Sequence, residues 1–532
     1  MSETSAAREL SSRNPATGEV LASVPATAPG QIGAAIAEAA KVQPLWALLR
    51  VQDRARYMRL MAQAVIDDFD ELQDCLAREG GRSRGDVATL ELLAAIDALI
   101  WIAEDGAEVL GGRRVRVSRS MSIGKRARIA YEPYGVVGVI GAGSAPFAQP
   151  LGQIAGALLA GNGVAFKPAA RASLAATCVG RVVGRAGLPE GLVQIAHGEA
   201  DVGVALARSP VHKILFTGSP SIGRLVAREC VSREKEVTVE LGGKDPMLVL
   251  ADAHLQRAVA GAVWAGFCAG AGQARGSIER VYVAREVGDR FLTSLVDAAR
   301  ALRVGDPADS RVEVGPLAST RRCEHVQALL EDAVAGGARL HCGGPVDPPG
   351  CARGVFCAPA VLTGVTRAMR IMHEPIGGPI LTLVAVDSVD EAIALANDAE
   401  YGLAASVWTA DRYQGLRIAR ELWAGMVWLN DHLPGPLVSR GPWGAAAGGG
   451  LGRTLGEAGL RACAQEKLIT WDPPAMRGLW WGPHDHASAH AARAVAKLRS
   501  ERESDRERAW RQGALAIARV GARALGRGLG RG

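Results

Sequence analysis

The feature that most restricts the fold of this chain is a series of short apolar runs, each followed by a glycine turn and a helical segment. The series begins at Val136 and contains VVGVIGA, GVAFKPA, LVQIAHG, KILFTGS and VTVELGG. Short apolar strands of this kind are buried on both faces of a sheet, and helical connections between them place them parallel. The pattern therefore predicts a doubly wound α/β sheet, which binds ligands at the carboxyl ends of its strands.

The segments around this series extend the same interpretation. Residues 34–49 and 54–79 carry apolar side chains at helical spacing and predict helices that cover the sheet. Residues 113–133 alternate apolar with polar or basic side chains, which predicts a partly exposed strand ribbon. A second α/β block follows at about 252–430, and a chain of 532 residues is long enough for two domains.

The net charge of +6 comes from the end of the chain. From Ala475 onward there are twelve Lys and Arg residues and five Asp and Glu residues, so the preceding part is close to neutral. A body without an excess of basic residues carries no nucleic-acid signature. Nine cysteines without CxxC pairs, and an N-terminus without an apolar signal core, predict a reducing, cytoplasmic location.

A set of short motifs follows in a fixed order over about 320 residues. The motifs are Glu132-Pro133, Gly135-Val-Val-Gly-Val-Ile140, Phe166-Lys167-Pro168, Phe216-Thr217-Gly218-Ser219, Glu240-Leu241-Gly242-Gly243-Lys244, Gly305-Asp306-Pro307, Gly315-Pro316-Leu317, Tyr401-Gly402-Leu403 and Gly452-Arg453. One such motif is weak, but the ordered set closely resembles the aldehyde dehydrogenase superfamily over about Asn14 to Trp471.

The resemblance implies a domain organisation. Residues 1–112 and 134–242 correspond to a nucleotide-binding domain with a doubly wound parallel sheet, and 243–461 to a second, catalytic-type α/β domain. Residues 113–133 and 462–472 correspond to the strands of an oligomerisation arm. The resemblance thus implies a homo-oligomer, either a dimer or a tetramer. The basic segment 475–532 lies beyond it and is expected to be flexible.

A nucleotide site is expected where the run KILFT ends. The segment from Gly218 to Gly223 places a glycine turn between a strand and a helix, and the free N–H groups of a helix N-terminus bind a pyrophosphate. By resemblance, Ser219 contacts the phosphate and Lys167 the adenosine ribose. The cofactor-binding positions implied by the resemblance are Lys167, Gly218, Ser219, Gly223, Leu241 and Gly242.

The choice between NAD and NADP depends on a missing carboxylate. Where the family often has a glutamate for the ribose hydroxyls, this chain has Ala170, followed by Arg171. Without that carboxylate a 2′-phosphate is not repelled, so the hypothesis is that NADP is accepted as well as NAD.

The position of the family's nucleophile is the main departure. The family motif Gly-Gln-x-Cys corresponds to Gly272-Gln273-Ala274-Arg275, and the following Glu279-Arg280-Val-Tyr-Val283 fixes the alignment without gaps. Arg275 stays protonated at neutral pH and cannot attack an aldehyde carbon. Glu240 matches the family's general base. The hypothesis is that Arg275 and Glu240 form an ion pair that fills the former substrate tunnel.

Two further catalytic positions are changed. The family's Trp-Asn-Phe-Pro becomes Gly143-Ser144-Ala145-Pro146, which puts Ser144 at the oxyanion asparagine. The family's Glu-x-Phe-Gly-Pro becomes Pro375-Ile376-Gly377-Gly378-Pro379, which puts Pro375 at the glutamate for the nicotinamide ribose. Neighbouring Glu374 could substitute if the loop shifts.

These changes leave several functions open. By descent the chain is an oxidoreductase acting on aldehydes, but the missing thiol predicts an inactive, NAD(P)-binding pseudoenzyme. One alternative is an active aldehyde dehydrogenase that uses Cys268 or Glu240 as a surrogate. Another is a structural or regulatory subunit that pairs with an active relative in a hetero-oligomer.

The basic tail suggests one more partner. Trp480-Trp481 followed by an Arg-rich amphipathic stretch could contact an anionic membrane surface. His484-Asp485-His486 with His490 is interpreted as a solvated linker, and no metal ligand is assigned there. Arg519, Arg523, Arg527 and Arg531 would share one side of a helix, which Gly526, Gly528 and Gly530 oppose.

Overall fold

The computed structural model describes residues 8–118, 122, 124–351, 353–433, 438–446, 448–474, 478–481 and 484–525. The chain divides into two compact units. The first comprises the residues up to Leu110 together with Pro133–Gln465, and the second comprises Gly111–Glu132 and the residues from Glu466 onward. The α/β class predicted from the apolar runs is confirmed in the first unit.

Most strands of the structure lie between Val136 and Leu429. The strands are β1 Glu9–Arg13, β2 Val20–Pro25, β3 Arg113–Val115, β4 Arg126–Pro133, β5 Val136–Ile140, β6 Gly163–Lys167, β7 Val193–Ile195, β8 Lys213–Thr217, β9 Glu236–Glu240, β10 Asp245–Val249, β11 Ile278–Ala284, β12 Arg339–Val346, β13 Phe356–Thr363, β14 Ile380–Val386, β15 Ala404–Trp408, β16 Met426–Leu429, β17 Gly450–Leu451 and β18 Ala464–Trp471.

Helices separate most of these strands. The α-helices are α1 Ile32–Leu48, α2 Val51–Asp67, α3 Phe69–Gly80, α4 Arg84–Asp86, α5 Ala94–Val109, α6 Ala148–Leu159, α7 Ser173–Arg185, α8 Ala200–Arg208, α9 Pro220–Val231, α10 Leu255–Val263, α11 Arg285–Ala301, α12 Thr320–Ala335, α13 Val389–Asn397, α14 Arg412–Glu421, α15 Gly456–Arg461, α16 His486–Lys497 and α17 Glu503–Ala524.

The first large sheet has the strand order β17-β9-β8-β5-β6-β7. Strands β5 to β9 are parallel, and β5, β6 and β8 are buried along their whole length, as the uninterrupted apolar runs predict. From β5 the chain continues to β6 and β7 on one side, and then to β8 and β9 on the other. The strand order therefore reverses at β5, where ligands of such sheets bind.

One strand of this sheet comes from an unexpected part of the chain. β17 lies in the segment assigned to the second domain, yet it pairs antiparallel with β9, with Gly450 opposite Glu240. A strand of two residues carries no detectable apolar pattern, so its pairing could not be predicted from the sequence. It covers the edge of the sheet at Glu240.

The second large sheet has the order β12-β13-β14-β11-β10-β15-β16 and is parallel except for the pair β12 and β13. Buried clusters cover both faces, one around α12 and α13, the other around α10 and α11. This sheet supplies the segments that carry Arg275 and Pro375.

The predicted helix at 54–79 is wrong in its length. The structure contains two helices, α2 and α3, that meet at Asp68. Asp68 has non-helical dihedral angles, and its carboxylate pairs with Arg185 of α7. A tertiary contact thus ends a helix that the apolar spacing alone would continue.

The second unit contains a three-stranded sheet of order β18-β4-β3. The predicted ribbon at 113–133 is two strands, β3 and β4, and part of the connection between them lies outside the described residues. β18 exposes Leu468 (62%) and Trp471 (53%). The assembly role of these strands stays a prediction.

The tail is more ordered than predicted. Helices α16 and α17 pack against each other through a cluster that includes Ala491, Ala516 and Val520, because small side chains at helical spacing allow close approach. Asp485 of the histidine-containing segment caps α16, with Ser488 N donating to Oδ1 at 2.8 Å. Residues 526–532, which include the opposing glycines, lie outside the described residues.

Among the described helices, no single one is long and apolar enough to cross a membrane. One pair of consecutive helical segments reaches the required length and hydropathy when taken together, but it is bent by 118° between the segments; these are Pro29–Leu48 and Val51–Asp67. Contact of the tail with a membrane surface stays a prediction.

Candidate active site

Glu240, the predicted general base, lies at the carboxyl end of β9. The Glu240 side chain is 2% exposed and both of its carboxylate oxygens are engaged. Gln149 Nε2 and Arg275 Nη1 donate to Oε2, the latter at 3.0 Å, and Thr454 Oγ1 donates to Oε1. Three donors thus hold this carboxylate in place.

The hypothesised ion pair between Arg275 and Glu240 is present. The Arg275 side chain is 8% exposed and reaches Glu240 from the segment before β11. Burial raises the pKa of Glu240 above its usual range, and the charge of Arg275 opposes that rise. Burial lowers the pKa of Arg275, which Glu240 opposes in turn. Each charge therefore depends on the other for its stability in this site.

A cavity of about 480 Å³ opens onto this pair. Its polar end is formed by Gln149, Gln153, Glu240 and Arg275. The remaining wall is mainly apolar and includes Leu90, Trp101, Ile102, Trp428, Trp443 and Leu460. The cavity thus offers a mainly apolar wall to a ligand, and the ion pair forms part of its polar lining.

Ser144 also lines the cavity, as its place in the motif predicts. Its backbone carbonyl accepts a hydrogen bond from Arg82, which pairs with buried Glu91 at 2.8 Å. Glu91 in turn accepts from the backbone N–H groups of Phe147 and Ala148 at the start of α6. This network fixes the backbone at Ser144, whose side chain carries a hydroxyl group and no amide N–H.

The backbone of the loop that follows Pro375 is fixed by hydrogen bonds to Glu279. Glu279 accepts from Ile376 N at 2.9 Å and Gly377 N at 3.1 Å, and it pairs with Lys244 at 2.7 Å. Glu374 pairs instead with Arg370 of the same loop, which lowers the pKa of Glu374. The suggestion that Glu374 replaces the missing glutamate would require breaking this pair.

The thiols of Cys268 and Cys463 are both poorly suited to replace a catalytic nucleophile. Cys268 is absent from the cavity wall, and burial raises the pKa of its thiol to about 12. Cys463 does line the cavity, but burial raises the pKa of its thiol to about 11, and its Sγ donates to Gly459 O. Neither sulfur is set up as a thiolate.

The predicted cofactor residues gather at the carboxyl edge of the first sheet. Lys167 ends β6, Gly218 follows β8, and Ser219 precedes the first residue of α9. Ser219 is exposed, and it leaves the first N–H groups of α9 without a side-chain cap. Lys167 is 7% exposed, and burial lowers its pKa to about 8. No hydrogen bond of its ammonium group is found among the described residues.

The other three predicted cofactor positions support this edge. Gly223 is buried in α9 against Leu241, whose nearest side-chain atom would lie 2.3 Å from a Cβ at position 223. Leu241 donates its N–H to Gly449 O at 2.9 Å, which joins the edge to the residue before β17. Gly242 has no described atom within 4 Å of an added Cβ, so its surface is open.

Several residues of the site were missed at the sequence level. Thr454 comes directly after the quoted Gly452-Arg453 motif, and Gln149 is one of few polar residues between Gly135 and Phe166, a stretch without charge. A polar residue in such a stretch is a usable signal for a buried hydrogen bond. No sequence pattern indicates the ion pair of Arg82 and Glu91, because its contacts with Ser144 and Phe147 form only in the folded chain.

Comparisons with known proteins identify the family of the chain. A profile described as the Aldehyde dehydrogenase family matches residues 2–469. A betaine aldehyde dehydrogenase of Brucella ovis is 35% identical over 459 residues, which is 86% of this chain and 92% of that protein.

Solved structures agree as well. An aldehyde dehydrogenase of Mycobacterium tuberculosis in complex with NAD+ superposes with a TM-score of 0.83 at 31% identity, covering 88% of this chain and 95% of that one. An NADP-dependent enzyme of E. coli gives a TM-score of 0.82 at 31% identity, with the same coverage. With the fold, the motifs and these relatives in agreement, this chain belongs to the aldehyde dehydrogenase family.

Proposed function

We propose that this chain is an NAD(P)-binding member of the family that does not carry out thiol-dependent oxidation of aldehydes. The observation that carries the proposal is the buried pair of Arg275 and Glu240 at 3.0 Å. The motif resemblance aligns Arg275 with the family's thiol, and an arginine is not a nucleophile, while the pair engages the carboxylate that would serve as base. A binding or regulatory role, alone or beside an active relative, fits these features best.

Cofactor binding is supported by the groups at the carboxyl edge of the first sheet. The ammonium of Lys167 fits the ribose hydroxyls or a 2′-phosphate, and the free N–H groups of α9 with Ser219 fit a pyrophosphate. In this family the bound nicotinamide accepts a hydride. Here Pro375 offers no side-chain acceptor for the neighbouring ribose.

The proposal predicts binding without turnover. Calorimetry on the purified protein should detect NAD or NADP, while an aldehyde panel in the same tube should produce no reduced nicotinamide absorbance. Losing a covalent nucleophile typically reduces turnover by about a million-fold, which places any residual rate below detection. Steady turnover by the unaltered protein would refute the proposal and would direct attention to Cys268 or Glu240.

The contribution of Lys167 can be measured through pH. Because a lysine loses its charge as the pH rises through its pKa, NADP affinity should fall between pH 7 and 9, around the value of about 8. Lys167→Ala should weaken NADP binding by about ten-fold or more and remove this pH dependence. Lys235→Ala, which removes a lysine that instead donates to the Ala207 and Ser209 carbonyls, is the control. An unchanged pH profile in Lys167→Ala would exclude Lys167 from the site.

A further inference from the structure

Two cysteines from separate helices lie with their sulfur atoms in contact. Cys75 belongs to α3 and Cys178 to α7, and Cys178 Sγ donates a hydrogen bond to Cys75 Sγ at 3.5 Å. Among the nine cysteines, each of which lies in the described part of the chain, no other two sulfurs share a hydrogen bond. The two sulfurs are thus within about 1.5 Å of the bonding distance of a disulfide, which is about 2.05 Å.

The register of the two helices holds the sulfurs opposite each other. On one side of the cysteine contact, Glu71 of α3 pairs with Arg181 of α7. On the other side, Glu79 of α3 accepts a hydrogen bond from Ala175 N of α7 at 2.7 Å. Residue numbers therefore rise along α3 while they fall along α7, so the helices are antiparallel and the cysteines lie in the middle of their contact. Charged hydrogen bonds on both sides of the sulfurs keep them neighbours in the reduced protein.

The two thiols differ in access and in acidity. Cys75 is half-buried, whereas Cys178 is 6% exposed. The hydrogen bond between them lowers the pKa of Cys75, and the same bond raises the pKa of Cys178. The positive charge of Arg181 also favours the thiolate of Cys75. Because the thiolate is the form that reacts with an oxidant, Cys75 is placed to react first and Cys178 to react with the product.

We propose that Cys75 and Cys178 form a reversible disulfide that joins α3 to α7 when the protein meets a peroxide. The Cys75 thiolate attacks one oxygen of hydrogen peroxide, the O–O bond breaks, and Cys75 becomes a sulfenic acid. The second oxygen leaves as hydroxide, which takes up the proton that Cys75 had released. The sulfur of Cys178 then bonds to that of Cys75, and the sulfenic oxygen leaves with the proton of Cys178 as water. Two thiols and one peroxide thus give one disulfide and two water molecules.

The disulfide would be separate from the candidate active site, because neither cysteine lines the cavity at Glu240. It would hold α3 on α7 and would restrict the unfolded chain between residues 75 and 178, which stabilises the folded state. A dithiol reverses the bond by thiol–disulfide exchange. A bond that forms and breaks in this way is compatible with a reducing compartment, where lasting disulfides are rare.

Peptide mapping of the full chain after treatment with hydrogen peroxide tests the proposal. We expect the intact mass to fall by about 2 Da and the peptide that contains Cys75 to be linked to the one that contains Cys178, with both changes reversed by dithiothreitol. The pair should react at least about ten-fold faster than any other cysteine of the chain. The linked protein should melt about 2 °C or more above the reduced protein.

Two variants separate the roles of the cysteines. Cys178→Ser should stop Cys75 at the sulfenic acid, which dimedone labels, and Cys75→Ser should lose no mass under the same treatment. The matched control is Cys342→Ser, at a half-buried cysteine whose Sγ donates to Pro359 O at 3.5 Å, and it should form the disulfide as the unaltered protein does.

The map of the unaltered protein decides the matter even if a variant fails to fold. A gain of about 16 Da for each oxidised cysteine without a link, or a link that does not include Cys75, would overturn the disulfide. A linked protein that melts no higher than the reduced protein would overturn its stabilising role.

Discussion

Replacing Arg275 with alanine is expected to lower the free energy of unfolding by about 3 kcal/mol or more. The substitution leaves Glu240, 2% exposed, without the cation that lies 3.0 Å from it. Removing one partner of a buried pair is far more costly than removing both, because the remaining charge is left in a medium that solvates it poorly. Chemical denaturation of the variant beside the unaltered protein measures the difference.

The double variant Arg275→Ala with Glu240→Gln is the control for this prediction. It removes both charges, so it should recover most of the lost unfolding free energy.

The pH dependence of stability provides a second check. In Arg275→Ala the folded-state pKa of Glu240 rises further above the unfolded value of about 4.3, so protonation favours the folded state. The destabilisation relative to the unaltered protein should therefore shrink as the pH falls from 7 toward 5. If the loss of unfolding free energy in Arg275→Ala is independent of pH, or is absent at pH 7, the prediction is wrong and the pair is solvated.

Restoring the family's two catalytic groups is expected to produce aldehyde-dependent reduction of NAD or NADP. Arg275→Cys places a thiol beside Glu240 and releases that carboxylate from its ion pair, and Ser144→Asn supplies an amide N–H for the oxyanion. The cavity of about 480 Å³ with its apolar wall is already in place for a substrate. We expect the rate of the double variant to exceed that of the unaltered protein by about a hundred-fold or more, even without a glutamate at Pro375.

The matched control for this experiment is Arg275→Ser with Ser144→Asn, which opens the same space without a thiol. It should stay inactive, and iodoacetamide should abolish the activity of the cysteine variant alone. Equal rates in the two double variants would mean that the gain comes from freeing Glu240 rather than from a new nucleophile. An inactive cysteine variant that still binds the cofactor would contradict this prediction and would direct attention to Pro375, which has no carboxylate to offer the nicotinamide ribose.

The part of the site that was predictable is the part carried by contiguous residues. The positions of Glu240, Arg275, Ser144 and Lys167 follow from motifs whose spacing is preserved in the chain. Even the pair of Arg275 and Glu240 could be inferred, because two positions of one catalytic centre must be neighbours and carry opposite charge here. Helices α16 and α17 are not predicted, because the glycines at the end of the chain oppose a helix, and the alanines that pack the two helices give only a weak apolar pattern.

The sequence by itself determined the strand series and the family, since these depend on side-chain periodicity and on the identity of residues within short motifs. Only the tertiary structure decided which distant groups engage Glu240, that β17 pairs with β9, and that the sulfurs of Cys75 and Cys178 are in contact. The physical reason is that hydrogen bonds, desolvation and contacts between side chains depend on distances in space, which residues far apart along the chain acquire only when it folds.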